Sequence, residues 1–235
     1  MQRYFVLDKK DNLLALDPRD VHHICHVMRY SVGKRIECVY QEEVFLCEIV
    51  DLKSPWVKII QPIEVIRSKK SSVSVAIGMV KEQKMDLILQ KLTELGIDEI
   101  IPVVMERSIV RLEPERVDKK LIRWNKICKE ASEQSKRNTI PLVHFPISVL
   151  ELSKLSYEKK FLCSTNLNQK MDYHYLQQFQ NCATMIFVIG PEGGITDREE
   201  DLLQSAGYSS VSFGNEIMRV ETAAIYVASI TRFMK

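Results

Sequence analysis

The chain has 235 residues, is 46% hydrophobic and 27% charged, and carries a formal net charge of +2, which fits an ordinary globular protein of one or two domains with room for a sizeable core. No apolar run approaches the roughly 18 residues that span a bilayer, and the opening Met1-Gln-Arg-Tyr-Phe-Val-Leu-Asp8 meets charge too early for a secretory segment. A cytoplasmic protein with no membrane partner is therefore expected, and six dispersed cysteines without a Cys-x-x-Cys pair argue against a disulfide framework or a zinc site.

From Arg3 to about Pro62 the pattern is short and strand-like. Arg3–Leu7, Lys34–Tyr40, Val44–Val50 and Trp56–Ile60 are rich in β-branched and aromatic residues and separated by turn formers, which predicts a compact barrel or β-rich module. One amphipathic helix interrupts them: Asp17-Pro18 opens it, Val21, Ile24, Cys25 and Met28 follow at helical spacing, and it runs through Arg29. His22 and His26 within it have the spacing of a metal pair, but no carboxylate set completes a site, so no metal is expected; beside Arg29 they fit a polyanion contact better. Pro62 to Ser72, with Arg67, Lys69, Lys70 and three serines, reads as a linker.

From Val73 the texture changes to alternating strands and helices. Val73–Gly78 is a strand, and the next segment a helix with Met85, Ile88, Leu89, Leu92 and Leu95 on one face and Gly96 at its carboxyl cap. Ile100–Val104 is a strand and Asp118–Ser135 a long helix. Strands at Lys160–Cys163, Met185–Ile189 and Ser210–Phe213 alternate with helices at Asp197–Ala206 and Glu221–Phe233. Repeated alternation implies an α/β domain, a mostly parallel sheet with helices on both faces.

Charge is unevenly spread: residues 103 to 140 carry ten Lys or Arg against six Asp or Glu, so a basic surface and a polyanionic substrate are expected. The P-loop, the Gly-x-Gly-x-x-Gly fingerprint and the Gly-x-Ser-x-Gly elbow are all absent. Two glycine-containing loops remain, Gly190–Gly194 and Gly214–Glu221, each after a strand, and the first runs into Thr196 and Glu199 at capping-box spacing. Loops at the carboxyl ends of parallel strands are where open α/β sheets bind small molecules. With the end of the Lys160–Cys163 strand they can surround one flat ligand with backbone amides and with Ile189, Ile217 and Met218, while Ala223 leaves room at the start of the last helix.

Ile189-Gly-Pro-Glu-Gly-Gly194, Phe213-Gly-Asn-Glu-Ile-Met-Arg-Val-Glu-Thr-Ala223, Gln90-Lys-Leu-Thr-Glu-Leu-Gly96 with Glu106-Arg-Ser108, and Glu133-Gln-Ser-Lys-Arg137 resemble, in order, the RsmE family, ribosomal RNA small subunit methyltransferase E of the SPOUT superfamily. Arg3-Tyr-Phe and His22-His-Ile-Cys-His-Val-Met-Arg29 match as well. The resemblance implies a PUA-like RNA-binding β-barrel over residues 1–68 and a SPOUT methyltransferase domain over 72–235, with a carboxy-terminal trefoil knot, working as a homodimer. It implies methyl transfer from S-adenosylmethionine to N3 of a uridine in the decoding region of 16S rRNA, in the assembled small subunit.

On this reading Leu162, Cys163, Thr165, Ile189, Gly190, Glu192, Gly193, Gly194, Phe213, Gly214, Asn215, Ile217, Met218, Thr222 and Ala223 hold the cofactor. Glu221 is a candidate base and Arg219 a candidate stabiliser of the uracil anion; the alternative is that both only cap the last helix or pair with each other. Arg107, Gln134, Lys136 and Arg137 are expected to grip phosphate or the partner subunit, and Arg3, His22 and Arg29 to contact RNA. Two positions depart from the family pattern: Glu216, where the family usually has Arg, and Glu82, often Gly. Other SPOUT enzymes methylate tRNA or ribose oxygens, and a non-catalytic RNA-binding factor is the alternative from another class.

Overall fold

The computed structural model describes residues 1–65, 71–110, 113–165 and 182–234; residues 66–70 of the expected linker lie outside them. By its contacts the chain divides into Met1–Arg67 with Lys129–Ile140, and Ser68–Cys128 with Pro141–Lys235.

In the first unit β1 (Arg3–Phe5), β2 (Asp8–Lys10), β3 (Leu13–Ala15), β4 (Arg35–Tyr40), β5 (Glu43–Glu48) and β6 (Trp56–Ile63) form a sheet of order β1-β4-β5-β6-β3-β2. Its two ends are consecutive in the chain: the amide of Val6 donates to Val39 O and that of Leu7 to Ala15 O. One stretch of backbone thus pairs on both sides and curls the sheet back on itself. Alternate residues, among them Tyr4, Leu14, Ile36, Cys38, Cys47 and Val57, fill the interior. The β2–β3 hairpin has no sequence signature, because Asp8, Lys9 and Lys10 are all exposed and show no apolar alternation. Helix α1 (Pro18–His22) starts as expected, with Asp17 capping Arg19 N at 2.8 Å, but continues as a π-helical turn over His23–Val27.

The unit is completed by residues 129–140, the end of α3 (Val117–Gln134) and the segment after it. Lys129 Nζ lies 2.6 Å from Asp20 and 3.4 Å from Glu133, and Glu133 accepts from Phe5 N at 3.2 Å. The helix closes with Lys136 in the left-handed region, φ 62°, and Arg137 N donating to Ser132 O at 2.9 Å, a Schellman-type cap in which glycine is the usual residue. Lysine stands there because its side chain is used: Nζ is 3.0 Å from Glu37, which also binds Arg3 at 2.9 Å, and Arg3 in turn donates to Lys136 O.

In the second unit β7 (Ser72–Gly78), β8 (Glu99–Val104), β9 (Leu142–Val143), β10 (Ile147–Ser148), β11 (Lys159–Cys163), β12 (Thr184–Ile189) and β13 (Ser209–Val211) pair in parallel, in the order β10-β8-β7-β12-β11-β13 with β9 also on β8. Both faces are covered, as the near-continuous apolar strands require. Val73, Val75 and Ile77 face α2 (Glu82–Glu94), the first part of α3 and α6 (Val220–Met234) through Leu89, Leu92, Trp124 and Val227. Ala76, Leu162, Ile186 and Val188 face α4 (Val149–Ser153) and α5 (Asp197–Ser205) through Leu152 and Leu203. Gly96 ends the α2 turn at φ +90°, the conformation its position predicts. Helix α4, not expected from the sequence, starts at a capping box formed by Ser148 and Glu151.

Candidate active site

Three strands stop level: Cys163, Ile189 and Val211 are register partners, and Ile77 pairs with Ile189. Beyond these ends opens a cavity of about 350 Å³, within the range of roughly 300–1,000 Å³ for small-molecule clefts. Cys163, Ser164 and Thr165 form one wall, Ile189, Gly190, Pro191, Gly194 and Ile195 a second. The third is Ser212, Phe213, Gly214, Glu216, Ile217 and Met218, closed by Val220 and Ala223 at the start of α6. Burial pushes the Cys163 thiol well above its ordinary range, so it is a wall atom and not a nucleophile.

Close packing explains the glycines. A Cβ on Gly190 would sit 2.7 Å from Ile195 Cγ1, and Gly194 turns at φ +76°, a region that L side chains rarely adopt. Behind the loop Gly78, at the end of β7, would place a Cβ 2.5 Å from both Cδ and N of Pro191. Thr196 caps α5 in the expected box with Glu199, whose other carboxylate oxygen accepts from Glu106 N at 2.8 Å. That bond brings the Glu106–Ser108 turn onto the loop, where a Cβ on Gly193 would meet Arg107 Cβ at 2.8 Å and Arg107 O at 2.9 Å. Packing against the Glu106–Ser108 turn therefore requires glycine at position 193.

Of the expected cofactor residues, Cys163, Thr165, Ile189, Gly190, Gly194, Phe213, Gly214, Ile217, Met218 and Ala223 line the cavity. Leu162 lies in the opposite core, since alternate residues of β11 face opposite ways, and Glu192, Gly193, Asn215 and Thr222 are not in the wall. Ser164, Pro191, Ile195, Ser212 and Val220 were missed although they adjoin named residues. Asp197 and Glu200, in the first turn of α5, also line the cavity; the capping box hid them as helix surface. Arg107, expected on phosphate, lies in the wall, its Nη1 3.4 Å from Gly193 O and 3.3 Å from Ile195 O. Against it stand Asp197, Glu200 and Glu216, so the lining favours a cationic ligand, and Glu216, the departure from the family pattern, adds to that field.

Arg219 and Glu221 do not line the cavity. Nor do they pair with each other: Glu221 Oε2 faces Lys84 at 3.7 Å, and the same ammonium lies 3.1 Å from Glu192. Arg219 is exposed, and its carbonyl accepts from Ala223 N at 2.9 Å to start α6.

The residues expected to grip RNA are held in different ways. Arg3, 8% exposed, is committed to Glu37 and Lys136, which corrects its reading as a phosphate contact: the guanidinium is buried in an ion pair. Lys136 caps α3, and Arg137 donates to Thr139 Oγ1 at 3.3 Å. His22, Arg29 and Gln134 are exposed, with the His22 and His26 rings tilted against each other at 4.5 Å between centroids; no group of three or more potential metal ligands occurs among the described residues. The basic stretch is also less available than its composition suggests. Arg116 pairs with Glu113, Arg123 with Glu82 and Asp86, and Lys129 with Asp20; a residue count does not register such pairing.

A family model described as an RNA methyltransferase domain matches residues 67–232, and one described as an RNA methyltransferase PUA domain matches residues 16–60. A ribosomal RNA small subunit methyltransferase E from Mesomycoplasma hyopneumoniae is 32% identical over 227 residues, covering 97% of each chain. The chain belongs to the ribosomal RNA small subunit methyltransferase E family. Another member, from Bacillus subtilis, is 31% identical over 97% of this chain and 95% of its own length. Among solved structures, a methyltransferase from Legionella pneumophila in complex with S-adenosylmethionine superposes with a TM-score of 0.89 at 28% identity, covering 98% of this chain and 96% of that one. The family member from Neisseria gonorrhoeae bound to S-adenosylmethionine gives 0.87 at 27% identity, over 100% and 98%. The described helices include none long and apolar enough to cross a membrane.

Proposed function

We propose that this chain transfers a methyl group from S-adenosylmethionine to N3 of a uridine in the decoding region of 16S rRNA, acting as a cytoplasmic homodimer on the assembled small subunit. The observation that carries the reading is the cavity beyond β11, β12 and β13 in a member of the methyltransferase E family. The wall fits the donor. Ile189, Ile217, Met218 and Ala223 offer apolar surface to an adenine, and the bare backbone of Gly190 and Gly194 admits close approach. Asp197, Glu200 and Glu216 offset a positive charge. When bound, the donor supplies an electrophilic methyl carbon on a sulfonium, which needs neither metal nor covalent intermediate.

The protein's own work is to orient and to manage one proton. As the N3–methyl bond forms and the sulfur–methyl bond breaks, the N3 proton must leave. Arg219, exposed just before α6, stabilises the uracil anion. Glu221, next to Val220 of the cavity wall and with its Oε2 buried 3.7 Å from Lys84, is the carboxylate assigned to take the proton. Glu221→Gln is expected to lower kcat by about 10²-fold at saturating donor; a change under threefold would remove Glu221 from the chemistry. A trefoil knot is part of the same proposal, supported by β13 lying beyond β11 while α6 returns to pack on α2.

The decisive experiment is radiolabelled methyl transfer to small subunits lacking the modification, followed by nucleoside analysis. We expect 3-methyluridine. A 2′-O-methylated product would redirect the enzyme to ribose, and no incorporation at all would favour a non-catalytic RNA-binding role.

A further inference from the structure

Lys84 was not among the residues singled out in the sequence, and it touches neither RNA nor cavity wall in the assignments above. It lies on the first turn of α2 with its ammonium 3.1 Å from Glu192 Oε1 and 3.7 Å from Glu221 Oε2. Neither carboxylate lines the cavity, but each is flanked in the chain by residues of a different wall. Glu192 sits between Pro191 and Gly194 of the glycine loop, and Glu221 between Val220 and Ala223 of α6. The side chains are 33%, 21% and 16% exposed, so the cluster is only partly screened by water. Glu221 Oε2 is buried without a hydrogen bond, which leaves the ammonium as the compensating group for its charge.

We propose that Lys84 is a positioning residue: an electrostatic clasp that holds the glycine loop and the start of α6 at the separation the methyl donor requires. The proposal rests on the methyl-donor reading of the cavity. Helix α2 is an apt anchor, because Met85, Ile88, Leu89 and Leu92 fix it in the core, so the ammonium is held by a rigid element while the two carboxylates it gathers sit on loop and helix end. Without the cation two carboxylates confront each other across the junction of the walls, and like charges at such range repel. The walls then separate, and a ligand that must touch both loses contacts.

The test uses calorimetry with S-adenosylmethionine on the full chain as wild type, Lys84→Met, Lys84→Arg and the triple variant Lys84→Met/Glu192→Gln/Glu221→Gln. Lys84→Met is expected to weaken binding about 10- to 50-fold and, in the transfer assay, to raise KM for the donor more than it lowers kcat. Lys84→Arg is expected to bind within about threefold of wild type. The triple variant is expected to recover at least a fivefold part of the loss, because neutral amides no longer repel. Binding by Lys84→Met within twofold of wild type overturns the clasp, and so does a triple variant as weak as Lys84→Met, which would make the lysine's bulk, not its charge, the cause. A wild-type chain that binds no S-adenosylmethionine would instead overturn the methyl-donor reading itself.

Discussion

Replacing Gly78 by alanine is expected to weaken S-adenosylmethionine binding by about 100-fold, the scale at which a displacement of roughly 1 Å in a positioning group is felt. The added methyl would lie 2.5 Å from Cδ and N of Pro191 and 3.0 Å from Gly190 C. Neither neighbour is the flexible end of a side chain: one is a locked ring, the other backbone. Relief must come from moving the Gly190-Pro191 step, and both residues are cavity wall. Overpacking of this kind costs about 1–3 kcal/mol, equivalent to a melting shift of roughly 2–12 °C in a protein of this size. The control is Gly207→Ala, at φ +90° with nothing within 4 Å of its Cβ; it strains the backbone away from the cavity and should lose stability without losing affinity. Calorimetry and thermal melting on the two variants give the answer. Unchanged affinity in Gly78→Ala would detach the glycine loop from the ligand site.

A larger effect on stability is expected at Lys129. Its ammonium is the cation beside Asp20 and Glu133, and burial holds the carboxyls of both above their ordinary ranges, Glu133 at about 7. Lys129→Met leaves two buried carboxylates without compensation and should cost the first unit about 3 kcal/mol at pH 8. The penalty has a predictable pH dependence. An acid whose folded pKa is raised binds its proton more tightly in the folded state. Its favourable contribution is complete below the unfolded value near 4.5 and is lost as pH rises through about 7. The variant should therefore approach wild type near pH 5, and Glu133→Gln should flatten the wild-type slope between pH 5 and 8. Amide exchange in Arg3–Phe5 and Arg35–Tyr40, the strands beside the cluster, reads local stability directly. A penalty equal at pH 5 and pH 8 would show that the lysine acts by packing alone.

Much of the second unit could be read from sequence because its strands are buried on both faces and its helices are amphipathic, so pattern and burial coincide. Thr196 with Glu199, and Gly96, are local devices that declare themselves in a few residues. The cavity was legible in outline for the same reason: glycine loops after strands have few other uses. What stayed hidden depends on chain segments far apart in sequence. Gly78 looks like any strand end until Pro191 is packed against it, and Gly193 reads as a ligand contact until Arg107 is laid over it. Lys84 is one lysine among many until two carboxylates meet it. The Glu133–Arg137 block was read, on the family resemblance, as gripping phosphate or the partner subunit. In the structure Glu133 is spent on Lys129 and the amide of Phe5, and Lys136 on Glu37 and a helix cap; Phe5 and Glu37 lie about a hundred residues away in the chain.

That block carries a consequence for synthesis. The first unit is discontinuous: strands β1 to β6 are finished by Ile63, yet Lys129, Glu133 and Lys136, the partners of Asp20, Phe5 and Arg3, are made much later. At roughly 5–20 residues per second, translation from Arg67 to Ile140 takes about 4 to 15 s. Through that interval the nascent sheet carries Asp20 and Arg3 without their late-arriving partners, while the opening of the second unit emerges between them. The order of manufacture and the order of completion therefore differ: the part made first is sealed only after the middle of the chain has left the ribosome.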